Sequence, residues 1–467
     1  MNNGLKKKYG LVTAIAMVVG IVIGSGVFFK AQTVLQKTEG DMPLGILAWA
    51  IGGAIMLSCI LAFSGMAQKY EKVNGVVDYA EATVGKKYAY LFGWFSTMIY
   101  YPTMTSVLAW LSARYTLTFL RSCCPDFPLV SLGGDLAGAE TLMGPDCLAL
   151  MMLFLVGSYT INALSPKIAG HFQTTTTVIK LIPLVLMAIV GIIVGIFGQN
   201  HMLIENFAHD PVATSSTGEA LLSAVCATAF AYEGWIIATS INSEIKNSKR
   251  NLPIALVSGG IIIMVVYIAY YLGVSGGATV DVLMNEGATS AFTNVFGRIF
   301  GNILNLFVAV SCMGTMNGLM LGCTRGLYSV AARGQGPAPK TFSQIDAETN
   351  MPNNSAVVGL FLCALWGVYF YLTQLAGTWN TYFAFDSSEI PIITIYPMYI
   401  PIFVMWMKKQ KDEKFTRRFL FPTLAILGSL FMVYAAIVGH GMHIVYYLIV
   451  YIIVMAIGVV FMKKKVK

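Results

Sequence analysis

The sequence predicts an all-α integral membrane protein of twelve transmembrane helices. Ten form a 5+5 inverted repeat in which helices 1 and 6 are broken at mid-membrane, and two more follow at the C-terminal end. Three observations carry this reading. Of the 467 residues, 57% are apolar and only 11% charged, whereas soluble domains carry about a quarter charged residues. The apolar residues fall in long blocks, and a bilayer-spanning helix needs roughly 20 of them. Two of the blocks carry glycines and polar residues at their middle.

The blocks lie near 10–36, 43–66, 88–120, 145–164, 169–198, 218–244, 252–276, 299–332, 354–373, 379–406, 419–439 and 443–462. They make one transmembrane domain over 1–467, with a first repeat at 10–198, a second at 218–406 and the two additional helices at 419–462. Little is left for a soluble domain. The first block follows Lys6, Lys7 and Lys8, as a signal peptide would. It is too long, however, and lacks a small-residue cleavage site, so it reads as a retained helix.

Basic residues set the orientation, because cationic loops resist translocation. With both termini cytoplasmic in a multi-pass plasma-membrane protein, most of the 30 basic residues fall on the inner side. Among them are Lys69, Lys72, Lys86, Lys87, Lys167, Lys246, Lys249, Arg250, Arg325, Arg333, the run from Lys408 to Arg418, and Lys463 to Lys467. The outer side keeps Lys30, Lys37, Arg114, Arg121 and Arg298, and Lys180 lies inside a span. The net charge of +8 thus reports topology and contact with anionic membrane lipid. It gives no reason to invoke nucleic acid.

Cys59, Cys226, Cys312, Cys323 and Cys363 lie within apolar blocks as small packing residues. Cys123, Cys124 and Cys147 flank one loop, where a disulfide stays open as an option. No His, Cys or carboxylate cluster has metal-ligand spacing, and no nucleophile–base pair or phosphate loop stands out. Neither a metal, a cofactor nor an enzymatic activity is expected.

The interruptions carry the functional reading. The first span contains Gly20, then Gly24-Ser25-Gly26-Val27-Phe28, and each glycine costs about 1 kcal/mol of helix relative to alanine. The sixth contains Phe230-Ala231-Tyr232-Glu233-Gly234-Trp235. Weak points five helices apart are what an inverted repeat produces. A helix broken inside a membrane frees backbone groups that lipid cannot satisfy. An α-amino acid complements both sets: its carboxylate suits the N–H groups of Ser25, Gly26 and Val27, and its ammonium the carbonyls near Val22, Phe230 and Ala231. The competing reading of Gly20 and Gly24 is a GxxxG packing face. The second break and the intramembrane Glu233 favour the pocket.

These residues resemble the substrate-binding breaks of the amino acid–polyamine–organocation superfamily, whose fold is LeuT-like. Three further stretches are similar to its L-type amino acid transporter branch, which includes bacterial serine/threonine exchangers: Lys180-Leu-Ile-Pro, Ser311-Cys-Met-Gly-Thr-Met-Asn317-Gly and Lys249-Arg-Asn-Leu-Pro253. Gly75 through Tyr79 is similar to the family's cytoplasmic Gly–Tyr element. The likeness runs from about residue 10 to about 350. It implies alternating access, substrate between helices 1 and 6, Phe230 as an outer gate and Trp235 on the permeation path. Lipid or core packing is the other reading of both aromatics.

An intramembrane charge is functional by default. The resemblance implies that Lys180 replaces the sodium ion of sodium-coupled relatives, bonding carbonyls at the end of the first half-helix and the Ser311 hydroxyl. Snorkelling of its stem to the interface is the alternative. Glu233 departs from the commonest pattern, which has glycine there, and is a candidate proton or cation site. Asp386 and Glu389, three apart, are expected on one face of the tenth helix. Those three acids would then face a single intramembrane base.

The leading expectation is sodium-independent exchange of small neutral amino acids, by a monomer or homodimer with no obligate partner. A basic amino acid or polyamine antiporter, or a proton-coupled permease, is the alternative. A channel would show a continuous polar lining, and a membrane enzyme a polar cluster at the membrane face; the sequence shows neither.

Overall fold

The computed structural model describes residues 10–24, 26–70, 75–124, 144–209, 211, 215–239, 245–349, 351–375, 379 and 382–462. Ser25, the cations Lys6, Lys7, Lys8, Lys72 and Lys463 to Lys467, and the Lys167 side chain lie outside the described residues.

Each expected apolar block is helical, and the exceptions have local causes. The first splits into α1 (Leu11–Val22) and α2 (Gly26–Lys37). After α3 (Met42–Lys69) comes α4 (Val76–Thr83), a short amphipathic helix started by Gly75 at φ 55°. The third block is α5 (Lys86–Phe95) and α6 (Tyr101–Cys123), joined by a wide π-type turn over Ser96–Tyr100. Next are α7 (Pro145–Leu164), α8 (Pro166–Ile179), α9 (Leu181–Leu186) and α10 (Ile192–Phe197). Pro183 has no N–H for the carbonyl of residue 179, which places the interruption between α8 and α9 at Lys180.

A short α11 (Met202–Phe207) precedes the sixth block, which is cut into α12 (Thr217–Tyr232) and α13 (Trp235–Ala238). Then follow α14 (Ser248–Ser275), α15 (Val280–Glu286), α16 (Ala288–Phe296), α17 (Arg298–Ala331), α18 (Pro339–Phe342) and α19 (Asn353–Phe370). The last four are α20 (Ile390–Ile393), α21 (Ile395–Lys409), α22 (Phe421–His440) and α23 (His443–Phe461). By length and composition, eight helical stretches among the described residues can cross a membrane, with shorter apolar stretches at Leu11–Gly20 and Leu181–Phe197.

The tenth span corrects its expected start. It begins at Ile390 rather than near 379, because Asp386 captures the backbone first: its Oδ1 accepts from Ser388 N–H at 2.7 Å and Ser388 Oγ at 2.6 Å. Such side-chain bonds compete with helix. Asp386 and Glu389 therefore sit in a turn before the helix, not on one helical face.

A large apolar core runs through the bundle, beside a small second cluster of Tyr90, Trp94, Leu327 and Val330. Long helices pair within the large core, α3 against α14 and α6 against α17. The eleventh helix, α22, packs on α3 and α12, so it touches the break-bearing helix directly. Where α10 meets α14, glycines let backbones touch: a Cβ on Gly195 would lie 2.5 Å from Gly276 Cα, and one on Gly273 would strike the Met187 carbonyl. This is the close approach that small residues give membrane helices. Asn162 Nδ2 donates to Asn317 Oδ1 at 2.8 Å, and Asn317 Nδ2 to the Ala169 carbonyl at 3.3 Å, tying α17 to α7 and α8.

Gly273→Val should therefore overpack the contact of α14 with Met187, in the wide turn between α9 and α10, by about 1–3 kcal/mol or more. Thermal unfolding in detergent would show this as a lowered Tm; an unchanged Tm would mean that these backbones do not meet.

Candidate substrate site at the two helix breaks

Both breaks exist, and they face each other. α1 stops at Val22 and α2 starts at Gly26; α12 stops at Tyr232, and α13 starts at Trp235 after Gly234 at φ 102°. Only glycine adopts that φ without strain. A Cβ on Gly26 would lie 2.6 Å from Ala231 Cα, and one on Gly24 would lie 2.7 Å from Thr315 Oγ1 of α17. The glycines of the first break thus do two jobs: they weaken the helix and let it close onto the sixth and eighth spans.

α2 begins at Gly26, and the first four N–H groups of any helix have no partner within it. Val22, Phe230 and Ala231 bring the opposing carbonyls, and all three residues are buried. A helix start on one side and helix-end carbonyls on the other have opposite partial charges.

Three side chains hold the breaks open. The Lys180 ammonium, 0% exposed, donates to the Gly20 carbonyl, one of the last of α1. Complete burial removes the snorkelling alternative. The expected second bond is not made: Ser311 Oγ is buried without a partner among the described residues, and Lys180 turns to the main chain instead. Tyr267 of α14, which carried no sequence signal, lies with its hydroxyl 3.1 Å from the Val22 carbonyl and 3.2 Å from that of Ala231. One phenol thus bridges both breaks. A carbonyl has two lone pairs, so each keeps one for a ligand.

Glu233 caps the end of α12, wholly inside the protein. Tyr100, from the π-type turn, donates to its Oε1 at 2.7 Å, while Oε2 has no partner among the described residues. π-Turns are frequent at functional sites; here one aims a hydroxyl across to the sixth span. Trp235 is 0% exposed and packs against Phe63 and Tyr399, with Nε1 unpartnered. In this closed arrangement it lines no open path. Phe230, also buried, lies under Lys30, whose Nζ is 5.8 Å from its ring centroid.

Lys30 corrects the charge ledger drawn from sequence. Assigned to the outer loops, it is 1% exposed and paired with Glu389 at 2.5 Å. Arg114, assigned likewise, is also buried, over the Trp110 ring. The intramembrane acids therefore do not face one base alone. Lys30 lies four residues beyond Gly26, a placement that could have flagged it; its partner could not be read from sequence. All eight cysteines are free, with Cys147 buried and Cys123 and Cys124 exposed. Among the described residues no group of His, Cys, Asp and Glu could hold a metal ion.

Comparison with known proteins agrees with this geometry. The amino acid permease family profile matches residues 9–461. The serine/threonine exchanger SteT of Bacillus subtilis (strain 168) is 29% identical over 451 residues, covering 94% of this chain and 93% of its own. The b(0,+)-type amino acid transporter 1 of Mus musculus is 26% identical, covering 93% of this chain and 84% of its own. A crystal structure of MhsT in complex with L-phenylalanine aligns with a TM-score of 0.59 over 95% of this chain and 99% of that one, at 14% identity, which speaks for a shared fold. A polytopic helical bundle with paired breaks and relatives that are transporters is a membrane carrier and not an enzyme. The chain belongs to the amino acid permease family.

Proposed function

We propose that this permease exchanges small neutral amino acids across the plasma membrane, independently of sodium, by alternating access. In this reading twelve spans form two inverted five-helix repeats and two additional helices, with both termini in the cytoplasm. The α-carboxylate binds the N–H groups at Ser25, Gly26 and Val27, beside Gly24. The ammonium takes the remaining lone pairs on Val22, Phe230 and Ala231.

The observation that carries the proposal is the Lys180 ammonium on the Gly20 carbonyl. A tethered cation at the end of the first half-helix neutralises the dipole that a mobile cation would otherwise occupy. A sodium ion then has no vacancy to fill and no gradient to couple. The name of the serine/threonine exchanger relative fits substrates of this size.

A second reading rests on Glu233. A buried carboxylate with one oxygen unpartnered would favour a cationic substrate or carry a proton, as in a basic amino acid or polyamine antiporter. Asp386 and Glu389 lend it less support than their sequence does, since one caps a turn and the other is paired with Lys30.

Proteoliposome uptake separates the readings. Labelled serine uptake is expected to be the same in sodium and choline buffers and to be inhibited by alanine. Inhibition by arginine or putrescine, with alanine inert, would defeat the first reading. Lys180→Ala should lower flux roughly tenfold or more with expression intact, and near-normal flux would sink the ion-substitute role. Glu233→Gln should move either the pH profile or the inhibition by cationic amino acids; if neither moves, the carboxylate is structural.

A further inference from the structure

A second charged cluster lies apart from the breaks and takes no part in holding substrate. Lys30 of α2 donates to Glu389 Oε1 at 2.5 Å and to Ser388 Oγ at 3.2 Å. On the other carboxylate oxygen, Oε2, stands His440 Nε2 at the end of α22, 3.2 Å away. Neither of these two facing atoms has another partner among the described residues. Three separate elements meet here: the half-helix that begins at the first break, the turn before the tenth span, and the eleventh helix.

Lys30 also stands over the Phe230 ring. The cluster therefore lies over the residue that closes one side of the substrate gap. α2 packs on α12, so opening a path at this end requires α2 and α12 to part from Glu389 and from α22. A carboxylate gripped from both sides opposes that parting. With His440 neutral, Oε2 receives at most the weaker hydrogen bond of a neutral N–H, and only Lys30 grips the carboxylate with a charge. With a proton on Nε2, each oxygen has its own cation, and the facing orphan atoms become a hydrogen-bonded ion pair.

We propose that Lys30, Glu389 and His440 form a charge latch on the outer side of the substrate path, tightened when His440 is protonated, so that acid on that side slows transport. This rests on the carrier reading above. The other ionisable groups in reach are Asp386, occupied by Ser388, and Cys226, which feels Glu389, Lys30 and Lys37. Of the side-chain types gathered here, an imidazole is the one whose ordinary charge change falls between about pH 5 and 8. His440 is thus a positioning residue, acting through Glu389 and touching no substrate.

The test is uptake of a radiolabelled mixture of the twenty common amino acids into proteoliposomes preloaded with the same unlabelled mixture, with internal pH held at 7.5 and external pH at 7.5 or 5.5. Wild-type uptake should fall roughly three- to tenfold on external acidification. His440→Gln should keep the wild-type rate at pH 7.5 and lose most of that fall. Because Glu389→Gln alone would strand a buried ammonium, the double variant Lys30→Gln, Glu389→Gln is the companion, and its profile should be equally flat. Normal wild-type uptake with a pH profile that His440→Gln or the double variant leaves unchanged overturns the latch alone. No uptake of the mixture at either pH overturns the carrier reading and the latch with it.

Discussion

The unsatisfied main chain at the two breaks is the constraint on which the rest of the structure depends. In water a loose carbonyl is solvated at no cost; within a bundle at membrane depth an unpaired polar group costs several kcal/mol. The protein meets that demand with side chains from other spans. Lys180 reaches the end of α1 from the fifth span, and Tyr267 bridges Val22 and Ala231 from the seventh. Tyr100 reaches the cap of α12 from the third. Each donor leaves some acceptor capacity unused, and that residue of unmet polarity is what a zwitterionic ligand can occupy.

Burying charge to do this has its own cost, and the structure handles it in two ways. Lys180 is bonded to a neutral carbonyl, at a helix end whose partial negative charge favours it. Lys30 and Glu389 neutralise one another in a pair about as buried as the surrounding leucines. A buried pair contributes little net stability, yet breaking it by removing one partner costs about 3–5 kcal/mol. Such a pair is poor glue and a good fastener: it prefers one arrangement of its helices strongly over others. In the carrier reading proposed above, that property suits a protein that alternates between discrete closures, and α22, outside the repeat proposed from sequence, would touch the moving parts.

Much of this was legible in the residues. The apolar blocks were legible as helices, since bilayer thickness is a one-dimensional requirement that composition reports directly. The breaks were legible because glycine runs and a lone carboxylate conflict with the helix around them, and Lys180 stood out because nothing else in the fifth span is charged. Asp386 and Glu389 were misplaced because a helix-period spacing looks the same whether or not a side chain has captured the backbone.

The sequence alone therefore determined that the chain is a bundle of apolar membrane-crossing helices, and the points where two of them fail. Each depends on residues near one another along the chain. Only the tertiary structure decided which distant groups answer them: that Ser311 stays unbonded while Tyr267 bridges the gap, that Lys30 is buried rather than exposed, and that His440 faces Glu389. Those partners are separated by up to some hundreds of residues, and helix packing, not periodicity, brings them together.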